Sequence, residues 1–334
     1  MFSFDVVPGK VVKDLLDGSL TDVVEVVEDA YRRHDAGGTV NPDSYFLRFP
    51  DKPEARIIAL PAFIDLPSRP VAGIKWISSF PGNVARDVPR ASAVLVLNDY
   101  ATGYPIALLE AAGISAARTA ASAAVAARTL ARSVPATGHV SIIGAGVIAR
   151  TILRYLTATG YPIHDLRVFD VHEPSARNLA QYASADLGLC ARTVDSADTA
   201  LAAQTVITAT TALAPYLDRP LRPGQVVLNI SLRDFTAPVV LSAQNYLDDI
   251  DHCLKANTSP HLAEQQAGNR DFVDGTLADL ITGRRSVDPG RPVIFSPFGL
   301  GVLDLAVGHH VLRAAQQSGL TVAVPDFFGE TRRW

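Results

Sequence analysis

The sequence predicts a two-domain α/β protein, in which a domain with a mixed or antiparallel sheet precedes a domain with a doubly wound parallel sheet. The chain has 334 residues and 48% hydrophobic content, enough for about two domains of roughly 150 residues each. Short apolar runs separated by proline and glycine fill the first third, whereas strand-like runs alternate with helical patterns after Gly138. The first pattern is typical of an α+β domain, and the second of a parallel sheet with intervening helices.

The N-terminal part is predicted to begin with a helix and to continue with four strands. Apolar residues at positions 23, 24, 26, 27, 30 and 31 form a helical stripe, which Gly37 and Gly38 end. The strand-like runs that follow are SYFLRFP, RIIALPAFI, VAGIKWISSFP and ASAVLVLND. From about Leu109 an alanine-rich segment predicts a buried helix, because the arginines within it argue against a membrane span.

The second part is predicted to alternate between strands and helices. HVSIIGAG, LRVFDV, QTVITATT, QVVLNIS, YLDDIDH and PVIFSPFG have the composition of buried strands. VIARTILRYLTATG and PSARNLAQYASADLG have the apolar spacing of helices, and LGVLDLAVGHHVLRAAQQSG predicts a long closing helix. This alternation is the pattern of a doubly wound parallel sheet.

The composition favours a small-molecule partner. The formal net charge of -4 arises from 30 basic and 34 acidic residues, so no strong field would attract nucleic acid or an anionic membrane surface. The two cysteines, Cys190 and Cys253, form neither a metal-binding spacing nor a disulfide framework. The N-terminal residues lack the charge and apolar run of a secretory signal, so a cytoplasmic protein is expected.

A dinucleotide-binding motif is predicted at residues 144–149, where GAGVIA follows a strand and opens a helix. Gly144 permits a tight turn, and Gly146 lets backbone N–H groups approach a pyrophosphate at the positive end of the helix. Asp170 ends the next strand and is placed to accept hydrogen bonds from a ribose 2′-hydroxyl. NAD is therefore predicted in preference to NADP, although Arg177 lies nearby and could serve a 2′-phosphate.

Three charged residues are candidates for chemistry. Lys75 lies within an apolar strand and Arg118 within an alanine-rich helix, where a buried cation is costly unless it is paired or used. Asp234 follows a strand of the nucleotide domain, near the edge where ligands bind. The alternatives are an edge-strand lysine, an arginine with a structural partner and an ordinary loop aspartate. Two cations to hold a carboxylate and one carboxylate to move a proton indicate amino-acid oxidoreduction. The histidines have no metal-ligand spacing, so no metal is expected.

These residues lie in segments that resemble the ornithine cyclodeaminase and mu-crystallin family over nearly the whole chain. The matching segments, in order, are GIKW, NDYATGYPIALLEA, SAARTAASAA, GAGVIA, TATT, LNISLRDF and FGLGVLDLAVGHHV. The stretch from GIKW to GYP and the stretch from ISLRDF to DIDH are most similar to the N-(2-amino-2-carboxyethyl)-L-glutamate dehydrogenase branch. That branch makes 2,3-diaminopropionate for siderophores and peptide antibiotics.

The resemblance implies a homodimer and assigns roles to matching positions. Residues 1–119, completed by 310–334, form the substrate-binding and dimerisation domain, and residues 120–309 form the Rossmann-type NAD-binding domain. The resemblance assigns to Asp234 the role of general acid/base, and to Lys75 that of polarising the reacting centre or activating water. The residues implied in binding substrate carboxylates are Arg48, Lys75 and Arg118, and those implied in lining NAD are Thr119, Val147, Ile148, Asp170, Thr210, Ser231 and Leu232.

The segment around Asp234 departs from the cyclodeaminase pattern. Ornithine cyclodeaminases usually carry G-G-D-x-P-G-K-T-E-L where this chain reads SLRDFTAPVVL, so cyclisation of ornithine is not favoured. Arg233 adds a cation for a carboxylate-rich substrate. The expected reaction is NAD-dependent oxidative cleavage of N-(2-amino-2-carboxyethyl)-L-glutamate to L-2,3-diaminopropionate, 2-oxoglutarate and NADH, with a pyridoxal-phosphate-dependent synthase as pathway partner. The alternatives are ornithine cyclodeamination, alanine dehydrogenation, imine reduction and a non-catalytic nucleotide-binding role.

Overall fold

The structure, a computed structural model, describes residues 3–330 and 332. Contacts between Cα atoms divide the chain into two compact units. The first unit comprises the residues up to Arg118 together with those from Leu300 onward, and the second comprises Thr119–Gly299. Each unit contains one eight-stranded sheet, and the predicted combination of an α+β unit with a Rossmann-type α/β unit is confirmed. Among the described residues, no helix has the length and apolarity that crossing a bilayer requires.

The helices and strands follow one another along the whole described chain. Up to residue 130 they are β1 (Asp5–Val7), α1 (Gly9–Asp17), α2 (Leu20–Asp35), β2 (Thr39–Val40), β3 (Tyr45–Phe49), β4 (Lys52–Asp65), β5 (Pro70–Ser79), a 3₁₀ helix (Pro81–Arg86), β6 (Ala91–Asp99), β7 (Pro105–Glu110) and α3 (Ala112–Leu130). The next are β8 (His139–Ile143), α4 (Val147–Ala158), β9 (Asp165–Phe169), α5 (Glu173–Ala185), β10 (Ala191–Thr193), α6 (Ala197–Ala200), β11 (Thr205–Thr208) and β12 (Val226–Asn229). The last are α7 (Ala237–Leu241), β13 (Gln244–Leu247), α8 (Ile250–Cys253), α9 (Ser259–Ala267), β14 (Val273–Thr276), α10 (Leu277–Thr282), β15 (Val293–Ser296), α11 (Gly301–Gln317) and β16 (Val322–Ala323).

The sheet of the first unit is mixed, with the strand order β16-β1-β7-β6-β5-β4-β2, and β3 also pairs with β4. All its pairs are antiparallel except β1 with β7. Helix α11 packs against one face, where close approach requires glycine. A Cβ on Gly308 would lie 2.1 Å from Leu95 Cδ2, and a Cβ on Gly73 would lie 2.9 Å from Leu305 Cδ2. The core of this unit therefore lies between the sheet and α11.

The opposite face of this sheet carries exposed apolar side chains. Because residues directly opposite in antiparallel strands point to the same side, the pairing of Tyr45 with Ala59, Ala59 with Trp76 and Trp76 with Val94 forms one apolar row. Tyr45, Trp76 and Val94 are 67%, 42% and 37% exposed, and Leu47 lies on the same face with 46% exposure. We call this surface the outer apolar face.

The sheet of the second unit is entirely parallel, with the order β10-β9-β8-β11-β12-β15-β13-β14. The chain builds outward from β8 through β9 to β10, then returns to β11 on the other side of β8. This reversal of direction creates a crevice at the carboxyl ends of β8 and β11, where ligands bind in open α/β sheets. The four described residues of β11, and equally those of β12 and β15, are all buried.

Three sequence-based expectations about elements differ from the structure. The segment before α3 is not helical from Leu109, because residues 105–110 form β7, which pairs with β6 and β1. YLDDIDH was expected to be one strand, but β13 ends at Leu247 and Asp249 caps α8 by accepting a hydrogen bond from His252 N. Residues 300–309 were expected in the nucleotide domain. They lie in the first unit, because α11 begins at Gly301 and packs on that unit's strands.

Candidate functional site

The glycine-rich turn after β8 has the geometry that its sequence predicted. Gly144 has a φ of 95°, and a Cβ there would lie 2.4 Å from the carbonyl oxygen of Ala209. Gly146 is the N-cap of α4, and a Cβ there would meet no atom within 4 Å. The first glycine thus permits close contact between two loops, and the second leaves open space at a helix N-terminus. The N-terminus of a helix is where backbone N–H groups can bind a pyrophosphate, and the predicted contact with the cofactor stays a prediction.

The side chains beside this turn lie at the same end of the sheet. Val147 is 62% exposed and Ile148 is partly buried at the start of α4. Asp170 follows β9, and its Oδ2 accepts a hydrogen bond from Ala145 N at 2.7 Å, while Oδ1 accepts one from His172 N at 2.8 Å. Each carboxylate oxygen retains acceptor capacity for a ribose hydroxyl. Arg177 forms an ion pair with Glu173, so its charge is already partly balanced.

Asp234 lies in a pocket of hydroxyl groups within the second unit. Its side chain is fully buried, and Oδ1 accepts hydrogen bonds from Thr210 Oγ1 at 2.6 Å and Tyr216 Oη at 3.1 Å. Oδ2 accepts a short hydrogen bond from Ser231 Oγ. Burial and the carboxylate of Asp234 both raise the pKa of Tyr216, so that phenol stays protonated and donates. Three donors compensate for the loss of water around a buried carboxylate.

The structure shows the contacts of two residues that were predicted from the sequence, Thr210 and Ser231. Thr210 and Ser231 were predicted to line the cofactor, and both donate to Asp234. Tyr216 was missed, because nothing in the sequence around it indicates that its hydroxyl reaches a residue eighteen positions later. Leu232 adopts a left-handed φ of 73°, and its carbonyl accepts a hydrogen bond from Ser259 N at 2.7 Å. This contact holds the backbone next to the Asp234 pocket.

Two other residues predicted to bind ligands are Arg233 and Thr119. Arg233 donates hydrogen bonds to the carbonyl oxygen of Ala256, from Nη2 at 2.8 Å and from Nε at 3.3 Å. Thr119 lies in α3, directly after Arg118, and is partly buried. The structure thus brings Arg233 to a backbone carbonyl, and its predicted contact with substrate stays a prediction.

Lys75, Arg118 and Asp304 form a buried charge cluster in the first unit. Lys75 is 2% exposed in the interior strand β5, which β4 and β6 flank, so it is not an edge-strand lysine. Its Nζ donates to Asp304 Oδ2 at 2.6 Å and to Ser115 Oγ at 3.2 Å. Arg118 Nε donates to the other carboxylate oxygen, Asp304 Oδ1, at 3.1 Å. One buried carboxylate on α11 therefore holds two cations together.

The cluster sets the protonation of Lys75. Burial lowers the lysine pKa to about 8, the carboxylate of Asp304 opposes that decrease, and the nearby charge of Arg118 adds to it. Two cations and one anion leave an excess of positive charge, which suits a carboxylate ligand. Asp304 was not singled out from the sequence, because it lies 229 positions from Lys75 and its helical pattern resembles that of an ordinary core helix.

Arg48 lies apart from this cluster, on β3. Its guanidinium is 5.3 Å from the centre of the Phe46 ring, a cation–π arrangement. Its side chain is exposed, and the residue pairs with Arg56 of β4. Arg48 and Lys75 belong to the same unit but are not in direct contact through any hydrogen bond that the described residues show. Its predicted role in carboxylate binding therefore stays a prediction.

Comparison with known proteins agrees with these observations. The model of the ornithine cyclodeaminase/mu-crystallin family matches residues 12–319. The N-((2S)-2-amino-2-carboxyethyl)-L-glutamate dehydrogenase of Staphylococcus aureus is 30% identical over 314 residues, which cover 89% of this chain and 91% of the relative.

Two solved structures have similar folds. CmnK is 29% identical with a TM-score of 0.87, and the match covers 98% of this chain and all of CmnK. The Δ1-pyrroline-2-carboxylate reductase of Thermococcus litoralis, solved with NADH and L-proline, is 25% identical with a TM-score of 0.87 over 96% of this chain and all of that one. The chain therefore belongs to the ornithine cyclodeaminase/mu-crystallin family.

Proposed function

We propose that this protein is an NAD-dependent dehydrogenase that oxidises N-(2-amino-2-carboxyethyl)-L-glutamate and yields L-2,3-diaminopropionate and 2-oxoglutarate. The observation that carries the reaction class is the pair of cations, Lys75 and Arg118, held on Asp304 in the first unit. Together with the glycine-rich turn and the buried Asp234, it provides the groups that amino-acid oxidation needs. The substrate is proposed because of the 30% identity to the staphylococcal dehydrogenase.

NAD is the cofactor of this proposal. The open space at Gly146 and the N-terminus of the twelve-residue helix α4 accommodate a pyrophosphate, and Asp170 accepts a ribose hydroxyl. The related reductase from Thermococcus litoralis was solved with NADH. When bound, NAD supplies the acceptor for the hydride that leaves the substrate.

Side chains of the protein bind the substrate and transfer its protons. Lys75 and Arg118 bind the carboxylate next to the reacting carbon, since both present N–H donors around one buried anion. Asp234 accepts the proton of the substrate amine as the C–N bond becomes an imine. The protonated Asp234 returns that proton to the imine nitrogen, and the restored carboxylate accepts a proton from the water that attacks the iminium carbon. Asp234 then donates this proton to the nitrogen of the adduct. As the C–N bond breaks, the hydroxyl of the adduct gives its proton back to the Asp234 carboxylate, which leaves 2-oxoglutarate and free diaminopropionate.

The proposed reaction is tested by incubating the protein with NAD and N-(2-amino-2-carboxyethyl)-L-glutamate, recording absorbance at the NADH band and identifying products by mass spectrometry. We expect NADH, 2-oxoglutarate and diaminopropionate in equal amounts. L-ornithine and L-alanine are run in parallel, and a cyclic imine is run with NADH, because a related structure is a Δ1-pyrroline-2-carboxylate reductase. Formation of proline without net NADH would identify ornithine as the substrate. Consumption of NADH with the cyclic imine alone would identify the imine as the substrate, and either result would refute the proposed one.

The two glycines of the turn provide a matched test of the cofactor site. Gly146→Val is expected to keep the stability of the wild type, because its Cβ enters open space, but to weaken NADH binding by at least about tenfold, or about 1.4 kcal/mol. Gly144→Ala is expected to lose about 1–3 kcal/mol of stability, because its φ is positive and its Cβ contacts the Ala209 carbonyl. Thermal unfolding and titration of NADH fluorescence separate the two effects. Wild-type NADH binding by Gly146→Val would place the pyrophosphate elsewhere.

We further propose that the outer apolar face is the contact between two copies of this chain. Tyr45, Trp76 and Val94 form one contiguous row of exposed apolar side chains, whereas an ordinary protein surface exposes such residues singly. A second copy would cover the same face of its partner, as a twofold interface requires. This surface also agrees with the homodimer that the family resemblance implies.

Trp76→Arg tests the dimer. We expect this variant to run as a monomer in analytical ultracentrifugation at a concentration where the wild type is dimeric, because a guanidinium would be buried against an apolar surface. Leu320→Arg is the control, since Leu320 is 44% exposed and follows α11, outside the strands that form the outer apolar face. If Trp76→Arg remains dimeric, the interface uses another surface.

A further inference from the structure

Among the described residues, Arg90 donates a hydrogen bond to a neutral side chain, and no carboxylate balances its positive charge. It immediately precedes β6 and is partly buried, and its Nη1 donates to Ser79 Oγ at 2.8 Å. Burial lowers the pKa of this arginine, and no carboxylate contributes in the opposite direction. In the part of the chain that the structure describes, the hydroxyl of Ser79 is the polar side chain that receives its hydrogen bond. A guanidinium withdrawn from water against a neutral hydroxyl is costly unless an anion completes the site.

The sheet places this arginine along the same surface as Lys75. Lys75 and Ser79 are four residues apart in β5 and therefore point to the same side of the sheet. Ser79 is buried, and it pairs with Arg56 of β4, which pairs in turn with Arg48 of β3. Arg56, the direct partner of Ser79, and Arg48 beyond it thus bring two further cations into its row. Positive charge extends from Lys75 toward the end of β5.

We propose that Arg90, supported by Ser79, binds the side-chain carboxylate of the glutamate moiety, and so selects a substrate that has more than one carboxylate. The guanidinium offers parallel N–H donors that match a carboxylate. This inference rests on the proposed function, because it assigns one group of the proposed substrate to one residue. It differs from that function in naming a residue by which the protein distinguishes a carboxylate-rich substrate from alanine or ornithine.

The separation of Ser79 from Lys75 along β5 indicates that Arg90 would bind a different carboxylate from the one bound by Lys75 and Arg118. The Cα atoms of Lys75 and Ser79 are about 13 Å apart in an extended strand. An alanine held by Lys75 and Arg118 has no group that reaches Ser79, and ornithine carries a cation at its far end that Arg90 would repel. The glutamate side chain extends a carboxylate away from the reacting carbon. The arrangement therefore favours the glutamate-derived amine through charge, because Arg90 attracts a second carboxylate.

The test compares two substrates in two proteins. N-(2-amino-2-carboxyethyl)-L-glutamate and its analogue with glutamine in place of glutamate differ only in the carboxylate that Arg90 is proposed to bind. We expect the wild type to prefer the acid by about 10–100-fold in kcat/KM, as loss of a charged hydrogen-bond pair implies. In Arg90→Gln this preference should fall to about threefold or less. Arg86→Gln, an exposed arginine of the same loop, should keep the wild-type preference.

Three further measurements make the outcome unambiguous. The NADH affinity of Arg90→Gln should equal that of the wild type, which would show that the variant is folded. Arg90→Lys should restore part of the preference for the acid substrate, because lysine supplies a cation without the guanidinium geometry. An undiminished preference for the acid in Arg90→Gln would overturn the inference. If neither protein oxidises the amine, the proposed function fails instead. Calorimetric binding of glutarate then tests Arg90 alone: weaker binding to Arg90→Gln than to the wild type supports the subsite, and equal binding refutes it.

Discussion

Replacing Asp234 by asparagine is expected to lower kcat by about 10²–10⁴-fold while NADH affinity changes little. Asparagine has nearly the same shape as aspartate but cannot accept a proton at neutral pH. The proton of the substrate amine then has no acceptor at this position, and attack of water on the imine loses its base. Within the described part of the chain, the Asp234 carboxylate accepts hydrogen bonds from Thr210, Tyr216 and Ser231 and not from the turn that carries Gly144 and Gly146, so the geometry of that turn should persist.

The hydroxyl pocket makes this substitution informative rather than merely disruptive. Thr210, Tyr216 and Ser231 donate to the carboxylate, and hydroxyl groups can rotate to accept from an amide N–H₂ group instead. The fold should therefore tolerate asparagine with a loss of stability of about 1–3 kcal/mol, typical of a perturbed buried hydrogen bond. A fall in kcat at temperatures well below unfolding then reports on proton transfer.

The measurement combines initial rates of NADH formation with NADH titration and thermal unfolding of the same preparations. Asp218→Asn is the matched control, because Asp218 is exposed in the loop that also carries Tyr216. It should match the wild type in all three measurements. A kcat of Asp234→Asn within about threefold of the wild type would show that this carboxylate does not carry the proton.

The geometry of the glycine-rich turn was predictable because it depends on local backbone conformation. The positive φ of Gly144 and the open Cβ position of Gly146 both follow from a strand–turn–helix unit that is contiguous in sequence. The alternation of strands with helices likewise depends on short-range periodicity. The fold class and the conformation of the glycine-rich turn could therefore be inferred before the structure.

The partners of the charged residues could not be predicted in the same way. Lys75 was recognised as a cation in an apolar strand, but sequence alone left open an edge-strand position that the interior location of β5 excludes. Asp304 and Arg90 reach Lys75 and Ser79 through tertiary packing and strand pairing. Periodicity identifies which side of a helix is buried but not which distant residue meets it.

Short elements next to strand ends were also difficult to predict. YLDDIDH has the alternation of a strand, yet the backbone turns after Leu247, where Asp248 accepts hydrogen bonds from the N–H groups of Phe298 and Gly299. Asp249 then caps α8. A polar residue in a buried strand and a polar residue that ends it look alike until their hydrogen-bond partners are known.

Replacing Asp304 by asparagine is expected to lower the free energy of unfolding by about 3–5 kcal/mol, because it leaves Lys75 and Arg118 close together without their shared buried anion. Lys75→Met should be less damaging than Asp304→Asn, since it removes a buried cation and leaves Asp304 bound to Arg118. The double variant that combines Asp304→Asn with Lys75→Met should lose less unfolding free energy than the sum of the two single losses. Denaturant unfolding of all four proteins measures this coupling, and strict additivity would mean that Asp304 does not hold Lys75.

The same substitution has a second, independent signature in the pH dependence. Burial lowers the pKa of Lys75 from the ordinary lysine value of 10.5 to about 8. The unfolded chain therefore binds more protons between these values, and stability attributable to Lys75 rises with pH across that window. Because Asp304 opposes the decrease in this pKa, Asp304→Asn should lower it further and extend the window below pH 8. Substrate binding needs the cationic lysine, so the alkaline limb of kcat/KM should move from near pH 8 to lower pH. An unmoved limb would show that this lysine does not control binding.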